Sequence, residues 1–306
     1  MESKIINKEL FIIDDKVECQ YEIQRKSLSY WKDVWRRLKR NKLAIISLFI
    51  LGLIIIMAAI GPKLQSYDFD EQNMDLINKG PSSEHLFGTD ELGRDIFVRV
   101  WYGARISLTI AVFSAGINLL IGTLYGGFAG YKGGSVDNIM MRIIDIIYSV
   151  PEMIWIILLM VVVGPGLKTM IIVFAIVGWG GMARLVRGQV LQIREMEFIQ
   201  AAKVFGASTR RVIMKHLLPN CIGPIIVSLT FSIPSAIYTE AFLSYIGLGV
   251  PIPLASWGTL SNDGAKLLLA HPYQLLFPSL MICITIFAFN ILGDALRDTM
   301  DPRMKD

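Results

Sequence analysis

Charge is scarce in this 306-residue chain: 18% of its residues are Asp, Glu, Lys or Arg, against 53% hydrophobic ones. A soluble domain carries about 25% charged residues to cover its surface, so a soluble globular protein is excluded. Cysteine is nearly missing as well. Cys19, Cys221 and Cys283 show no metal-ligand spacing and, being odd in number, suggest no disulfide framework. They read as two small residues in or beside apolar blocks and one free thiol. The histidines, His85, His216 and His271, lie far apart and recommend no metal site. No H-E-x-x-H string occurs. No phosphate loop occurs either: Gly164-Pro165-Gly166-Leu167-Lys168-Thr169 has the wrong spacing and reads as a turn between spans. The halves share no visible repeat, a mark of many self-contained secondary transporters. Neither a cofactor nor a metal is expected.

What the chain does have is apolar blocks, each near the ~20 residues that cross a bilayer as a helix. They lie near 43–60, 106–129, 143–163, 170–186, 222–241 and 275–292. The expected fold is all-α, a polytopic membrane protein with six transmembrane helices. The first block holds no charge and starts behind a long polar segment. It is therefore expected to be a retained helix and not a cleaved leader. Gly178, Gly180 and Gly181 interrupt the fourth block.

Basic residues orient the spans. Arg36, Arg37, Lys39, Arg40 and Lys42 stand directly before the first one. The positive-inside rule explains them better than a nucleic-acid patch does, and puts the amino end in the cytoplasm. The loop 61–105 is then outside, with acidic Asp68, Asp70, Glu71, Asp75, Glu84, Asp90, Glu91 and Asp95. The basic segment with Arg184, Arg187, Arg194, Lys203, Arg210, Arg211 and Lys215 falls inside, as does the tail 293–306. The organisation is a cytoplasmic segment 1–42, the helix 43–60, the outer loop 61–105, a core 106–292 with five spans, and the tail. Trp101, Tyr102, Trp155, Trp179, Trp257 and Tyr273 mostly flank spans and read as interfacial anchors.

Two carboxylates stand out. Glu152 falls near mid-depth of the third span, after Ser149 and Pro151. An ionisable group there is costly and faces a pore or a partner by default. It either lines a translocation path, where it could meet a peptide amine, or makes an inter-helix hydrogen bond. Glu240 comes late in the fifth span, near the outer face. There it either serves an outer gate or meets water. Neither belongs to a catalytic pair, which speaks against a membrane-embedded enzyme.

The segment 195–220 reads as two short helices joined by a turn. Phe198, Ala201, Ala202 and Phe205 fall on one apolar face. Gly206 suits a C-terminal stop, Ser208 a cap, and Pro219 the end of the second helix, with Asn220 capping the next span. By composition alone this elbow packs on its own protein or on headgroups.

Gln200-Ala201-Ala202, then Gly206, then Leu218-Pro219 resembles the signature loop of permease subunits in bacterial ATP-binding-cassette importers. The usual glutamate is Gln200 here, and His216 stands where isoleucine is often found, which resembles the peptide-permease branch. His85–Asp90, Gly93-Arg94-Asp95, Tyr102–Arg105, Met182–Gln189, Ser244–Gly249, Ser256-Trp257-Gly258 and Leu292–Asp298 are similar, in order, to the C-type subunit of dipeptide and oligopeptide permeases.

The resemblance implies a type I importer permease fold and a loop that docks as a coupling helix into an ATPase subunit. It assigns that coupling to Glu197, Gln200, Ala201, Ala202, Gly206, Ala207, Ser208, Leu218 and Pro219. The implied partners are a homologous second permease forming a heterodimer, two ATPase subunits that hydrolyse the ATP, an extracytoplasmic peptide-binding protein, the peptide and membrane lipid. The implied place is a bacterial plasma membrane, with both termini inside. The expected cargo is oligopeptide; related subunits serve dipeptides, glutathione or nickel complexes.

Overall fold

The computed structural model describes residues 29–301. Cys19 lies outside the described residues, as does most of the segment 1–42 that was expected in the cytoplasm. Among the described residues there are helices and no strands, apart from one isolated bridge between Thr89 and Asp95.

A short amphipathic helix, α1 (Tyr30–Arg40), buries Val34 and Leu38 and exposes Trp31 and Trp35. It leads into α2 (Lys42–Ile60), which is capped by Asn41 accepting from the Ala44 amide. Apolar residues cover α2 all round, as lipid requires of a spanning helix, and Phe49, Ile55 and Ile56 remain exposed. A loop without long helices follows.

Next comes α3 (Ile96–Lys132), whose 37 residues reach about 55 Å at 1.5 Å per residue. That exceeds the ~30 Å hydrocarbon layer, so its ends project. The third span is broken: α4 (Gly134–Tyr148) and α5 (Glu152–Val163) meet at a 73° bend. This corrects the expectation of one continuous helix over 143–163. Pro151 cannot donate a backbone hydrogen bond and disfavours a helical residue before it, so the helix stops and restarts at Glu152.

The fourth span joins α6 (Leu167–Val177) to α7 (Trp179–Ile193) through Gly178. After the elbow segment come α11 (Ile222–Tyr245), the shorter α12 (Trp257–Lys266) and α13 (Tyr273–Met300). Five helical stretches are long and apolar enough to cross a membrane, and six if the bent pair is one span.

The core is organised by α3. Gly122, Gly126 and Gly130 recur every four residues and face α7: a Cβ on Gly126 would lie 2.2 Å from the Ala183 carbonyl oxygen. Small residues at this spacing let two helices pack backbone to backbone. Ion pairs then hold α4 to α7: Arg187 donates to both oxygens of the buried Asp137 at 2.6 Å, and Arg184 to Asp145 at 2.8 Å.

At the opposite end, α12 lies over α3 and α11. Trp257 is fully buried, with its indole N–H donating to the Val100 carbonyl at 3.0 Å, and Trp101 is 7% exposed. These two tryptophans are core residues, not interfacial anchors. The reason is that α12 folds back over the end of α3, a contact that position in the chain does not announce.

Candidate functional site

The elbow between the fourth and fifth spans begins where α7 ends. Its first helix, α8 (Glu197–Val204), is anchored by Ile199. That side chain joins Val186, Val190 and Ile193 of α7, and Val212, Ile213, Leu217 and Cys221 from below, in one buried apolar cluster. Ala207 packs against the same cluster.

Gly206 closes α8 with φ +77°, a left-handed conformation that glycine adopts without strain. Its N–H donates to the Lys203 carbonyl at 2.9 Å, and the Ala207 N–H donates to Ala202 at 3.0 Å. Ser208 then caps the three-residue turn α9 (Thr209–Arg211), accepting from the Arg211 amide at 3.4 Å. The expected turn and cap are therefore in place.

Two local expectations are corrected. The second helix is not ended by Pro219. It runs through a π-helical turn, Val212–Leu217, into the short α10 (Leu218–Asn220) and on towards α11. Proline is tolerated there because it sits in the first turn of α10, where its missing N–H breaks no bond. Asn220 caps nothing; its side-chain amide donates to the His216 carbonyl at 2.6 Å.

The apolar residues of α8 divide sharply. Ile199 points in, while Phe205 is 89% exposed, Val204 86% and Phe198 44%. The Phe198–Phe205 face is therefore not packed on its own protein. Glu197, Gln200 and Ala201 also lie at the surface. The Gln200 side chain donates to the Arg194 carbonyl at 3.1 Å. An ionised glutamate could not make that bond, having no donor, so Gln200 gives the start of α8 a tie specific to glutamine.

Leu218 and Pro219 sit at the base of the elbow and line a cavity of about 1560 Å³. Tyr30 and Trp31 of α1, Gln189 of α7 and Arg297 of α13 also line it. The cavity thus lies at the elbow end of the bundle.

The intramembrane carboxylates sit apart. Glu152 opens α5 and lines a second, smaller cavity of about 130 Å³. Glu240 lines neither cavity. It is fully buried, accepting from Ser107 at 2.9 Å and Ser244 at 2.7 Å. Ser107 accepts in turn from the Trp257 amide at 3.2 Å. In this chain Glu240 is enclosed at a junction of α3, α11 and α12, and no part of it meets water.

At the far end from the elbow, the loop residues form a dense polar cap. Asp95 caps α3 by accepting from the Val98 amide, and its other oxygen lies 2.8 Å from His85 Nδ1. Burial pushes the Asp95 carboxyl above its ordinary range, against the opposing pull of the Val98 amide and His85. Asp90 accepts from the backbone amides of Leu92 and Arg94 and from the Arg94 side chain at 2.7 Å. Gln274 of α13 donates to Asn78 and to the Thr89 carbonyl, locking the loop onto the last span. The His85–Asp95 string is thus an architectural knot. Among the described residues no group of His, Cys, Asp and Glu could hold a metal ion.

Sequence reasoning missed the wall of the small cavity: Ser114 and Asn118 of α3, and Ser232, Ser235 and Thr239 of α11. A signal existed, since hydroxyl residues at 228, 232, 235 and 239 recur on one helical face.

Comparison with known proteins agrees with this architecture. Residues 122–306 match the family described as binding-protein-dependent transport system inner membrane component. Residues 29–81 match the N-terminal TM domain of oligopeptide transport permease C. The chain is 54% identical over 284 residues to the dipeptide transport system permease protein DppC of Bacillus subtilis, covering 92% of this chain and 89% of that protein. To the oligopeptide transport system permease protein OppC of the same organism it is 52% identical over 283 residues, covering 92% and 93%. An inward-facing structure of the MetNI methionine ABC transporter shares the fold, with TM-score 0.54 and 17% identity, covering 65% of this chain and 94% of that one. The chain therefore belongs to the family of binding-protein-dependent transport system inner membrane components, as a multi-pass membrane permease.

Proposed function

We propose that this chain forms half of the channel of an ATP-driven importer of oligopeptides, and that its elbow is the surface through which a separate ATPase drives it. One observation carries the reading. Phe198, Val204 and Phe205 are exposed on a short helix that is anchored through Ile199. Exposed apolar side chains on an anchored helix fit a partner site. ATPase closure would push α8, and the cluster around Ile199 would pass the movement to α7 and α11. The chain supplies no ATP chemistry in this scheme; hydrolysis rests with two ATPase subunits. A homologous second permease completes the pore, and an extracytoplasmic binding protein delivers the peptide.

The elbow, both termini and α1 then face the cytoplasm, in keeping with the basic residues around them, while the His85–Asp95 cap is outside. Family membership speaks against a self-contained secondary transporter. Dipeptides are the second cargo reading, favoured by the 54% identity to DppC.

The cargo test is uptake of labelled dipeptides and pentapeptides by cells lacking only this chain, with and without its restoration. Restored pentapeptide uptake is expected. Restoration of dipeptide uptake alone would assign the second cargo, and restoration of neither would overturn peptide transport. Orientation is tested with Gln72→Cys and Ser208→Cys in a cysteine-free background and an impermeant thiol reagent. Gln72→Cys should label on intact cells and Ser208→Cys only after lysis; the reverse would invert the topology.

A further inference from the structure

The small cavity is lined by hydroxyl groups, one amide and one carboxyl, with an acid and no base among them. It lies between α3, α5, α6 and α11, lined by Ser114, Asn118, Glu152, Ser232, Ser235 and Thr239 beside Phe174 and Gly178. No Lys, Arg or His lines it. Ser114 is 1% exposed, and neither its hydroxyl nor the side-chain carbonyl oxygen of Asn118 has a partner among the described residues. Glu152 likewise makes no hydrogen bond or ion pair among the described residues. Ser232 gives its proton to the Leu229 carbonyl at 2.8 Å, which leaves its lone pairs free.

The buried Ser114 hydroxyl and Asn118 oxygen are costly to leave unpartnered. Glu152 is exposed at the mouth of the cavity with no cation beside it, and an acid at membrane depth favours a cationic partner. From this geometry we propose that the cavity receives the protonated amino terminus of the peptide in transit, an inference that rests on the peptide-importer reading above.

An ammonium group brings three N–H donors on a compact point charge, which matches Glu152, Asn118 and the hydroxyls converging on one space. A peptide carboxylate would meet Glu152 and no cation. The volume, about 130 Å³, admits the ammonium, its Cα and a small substituent, but not a whole peptide. The rest of the peptide has somewhere to lie. Ser228, Ser232, Ser235 and Thr239 form a hydroxyl stripe along one face of α11, and Ser228 belongs to the wall of the 1560 Å³ cavity. The stripe therefore runs from the small cavity into the large one.

The test uses the full complex, with both permeases, the ATPases and the binding protein, in nanodiscs under ATP turnover. Pentapeptides carry a diazirine on either the first or the last residue, and labelled positions are mapped by mass spectrometry. The first-residue probe should label 232–239 of α11 at least about tenfold more than the last-residue probe, the ratio expected from one charge-assisted hydrogen bond. Glu152→Gln should lower that labelling by about tenfold, and Ser235→Ala should lower it less. Peptide binding to the isolated binding protein should not change.

Equal labelling from both ends, or no labelling of this wall in the wild-type complex, overturns the proposal. So does undiminished labelling in Glu152→Gln, which would leave the cavity as a water pocket. The wild-type comparison stands even if Glu152→Gln fails to assemble. Failure of the peptide reading shows separately, as wild-type complex that moves neither peptide.

Discussion

The two ends of the molecule treat their polar and apolar groups in opposite ways. At the cap, His85, Asp90, Arg94, Asp95 and Arg99 are all under 9% exposed, and most of their polar atoms find partners within the chain. At the elbow, a helix of eight residues holds itself by one buried side chain, Ile199, and leaves Val204 and Phe205 in the open. The cap binds most of its own polar atoms, leaving His85 Nε2 and Arg99 Nε without a hydrogen bond among the described residues, while the elbow leaves apolar side chains uncovered. An end that consumes its own hydrogen bonds gains rigidity, and an end that keeps apolar surface exposed suits the partner site proposed above. On the proposed reading, the contrast separates residues whose loss should damage the fold from residues whose loss should damage mainly uptake.

Three substitutions sharpen that contrast, ordered by their effect on the fold. Gly126→Val should be the most damaging, because a Cβ there meets the Ala183 backbone at 2.2 Å and backbone cannot step aside. Forcing α3 and α7 apart should cost more than about 3 kcal/mol. The expected result is loss of monodisperse protein on size exclusion after detergent extraction. Asp95→Ala comes next: it removes the cap of α3 and the partner of buried His85, for about 2–4 kcal/mol. A lower unfolding temperature of the purified protein should report it, and an unchanged one would mean that the cap does not stabilise the fold. Gly206→Val should cost the fold least of the three: no atom lies within 4 Å of the added Cβ, so the cost is the local strain of a left-handed residue, about 1–2 kcal/mol. It should nonetheless abolish uptake, because a β-branched residue is strained at φ +77° and would turn α8 away. Wild-type uptake by this variant would show that the turn does not set the elbow.

How much of this the sequence discloses depends on the kind of constraint. The six apolar blocks are legible because lipid enforces them residue by residue. The elbow turn is legible because Gly206 and Ser208 act locally, through a positive φ and a side-chain cap. The bend at Pro151 could be suspected but not its 73° size, which depends on what α4 and α5 pack against. The burial of Trp257 and Glu240 was out of reach, because it arises when α12 folds over α3 and α11, a contact between residues 150 apart in the chain. The hydroxyl stripe of α11 has a readable period, yet nothing in that period says that Asn118 and Glu152 would face it.

The central claim, that the exposed tip of α8 is the seat of a separate ATPase, is tested most directly by crosslinking in intact cells. A photoreactive p-benzoylphenylalanine placed at Phe205, with a second placed at Gln72 as control, is irradiated and the adducts are sequenced by mass spectrometry. The account predicts an adduct at Phe205 with a subunit carrying a phosphate loop, absent at Gln72 and weakened when Gly206→Val is added. Adducts at Phe205 with lipid alone, or with residues of this same chain, would contradict it.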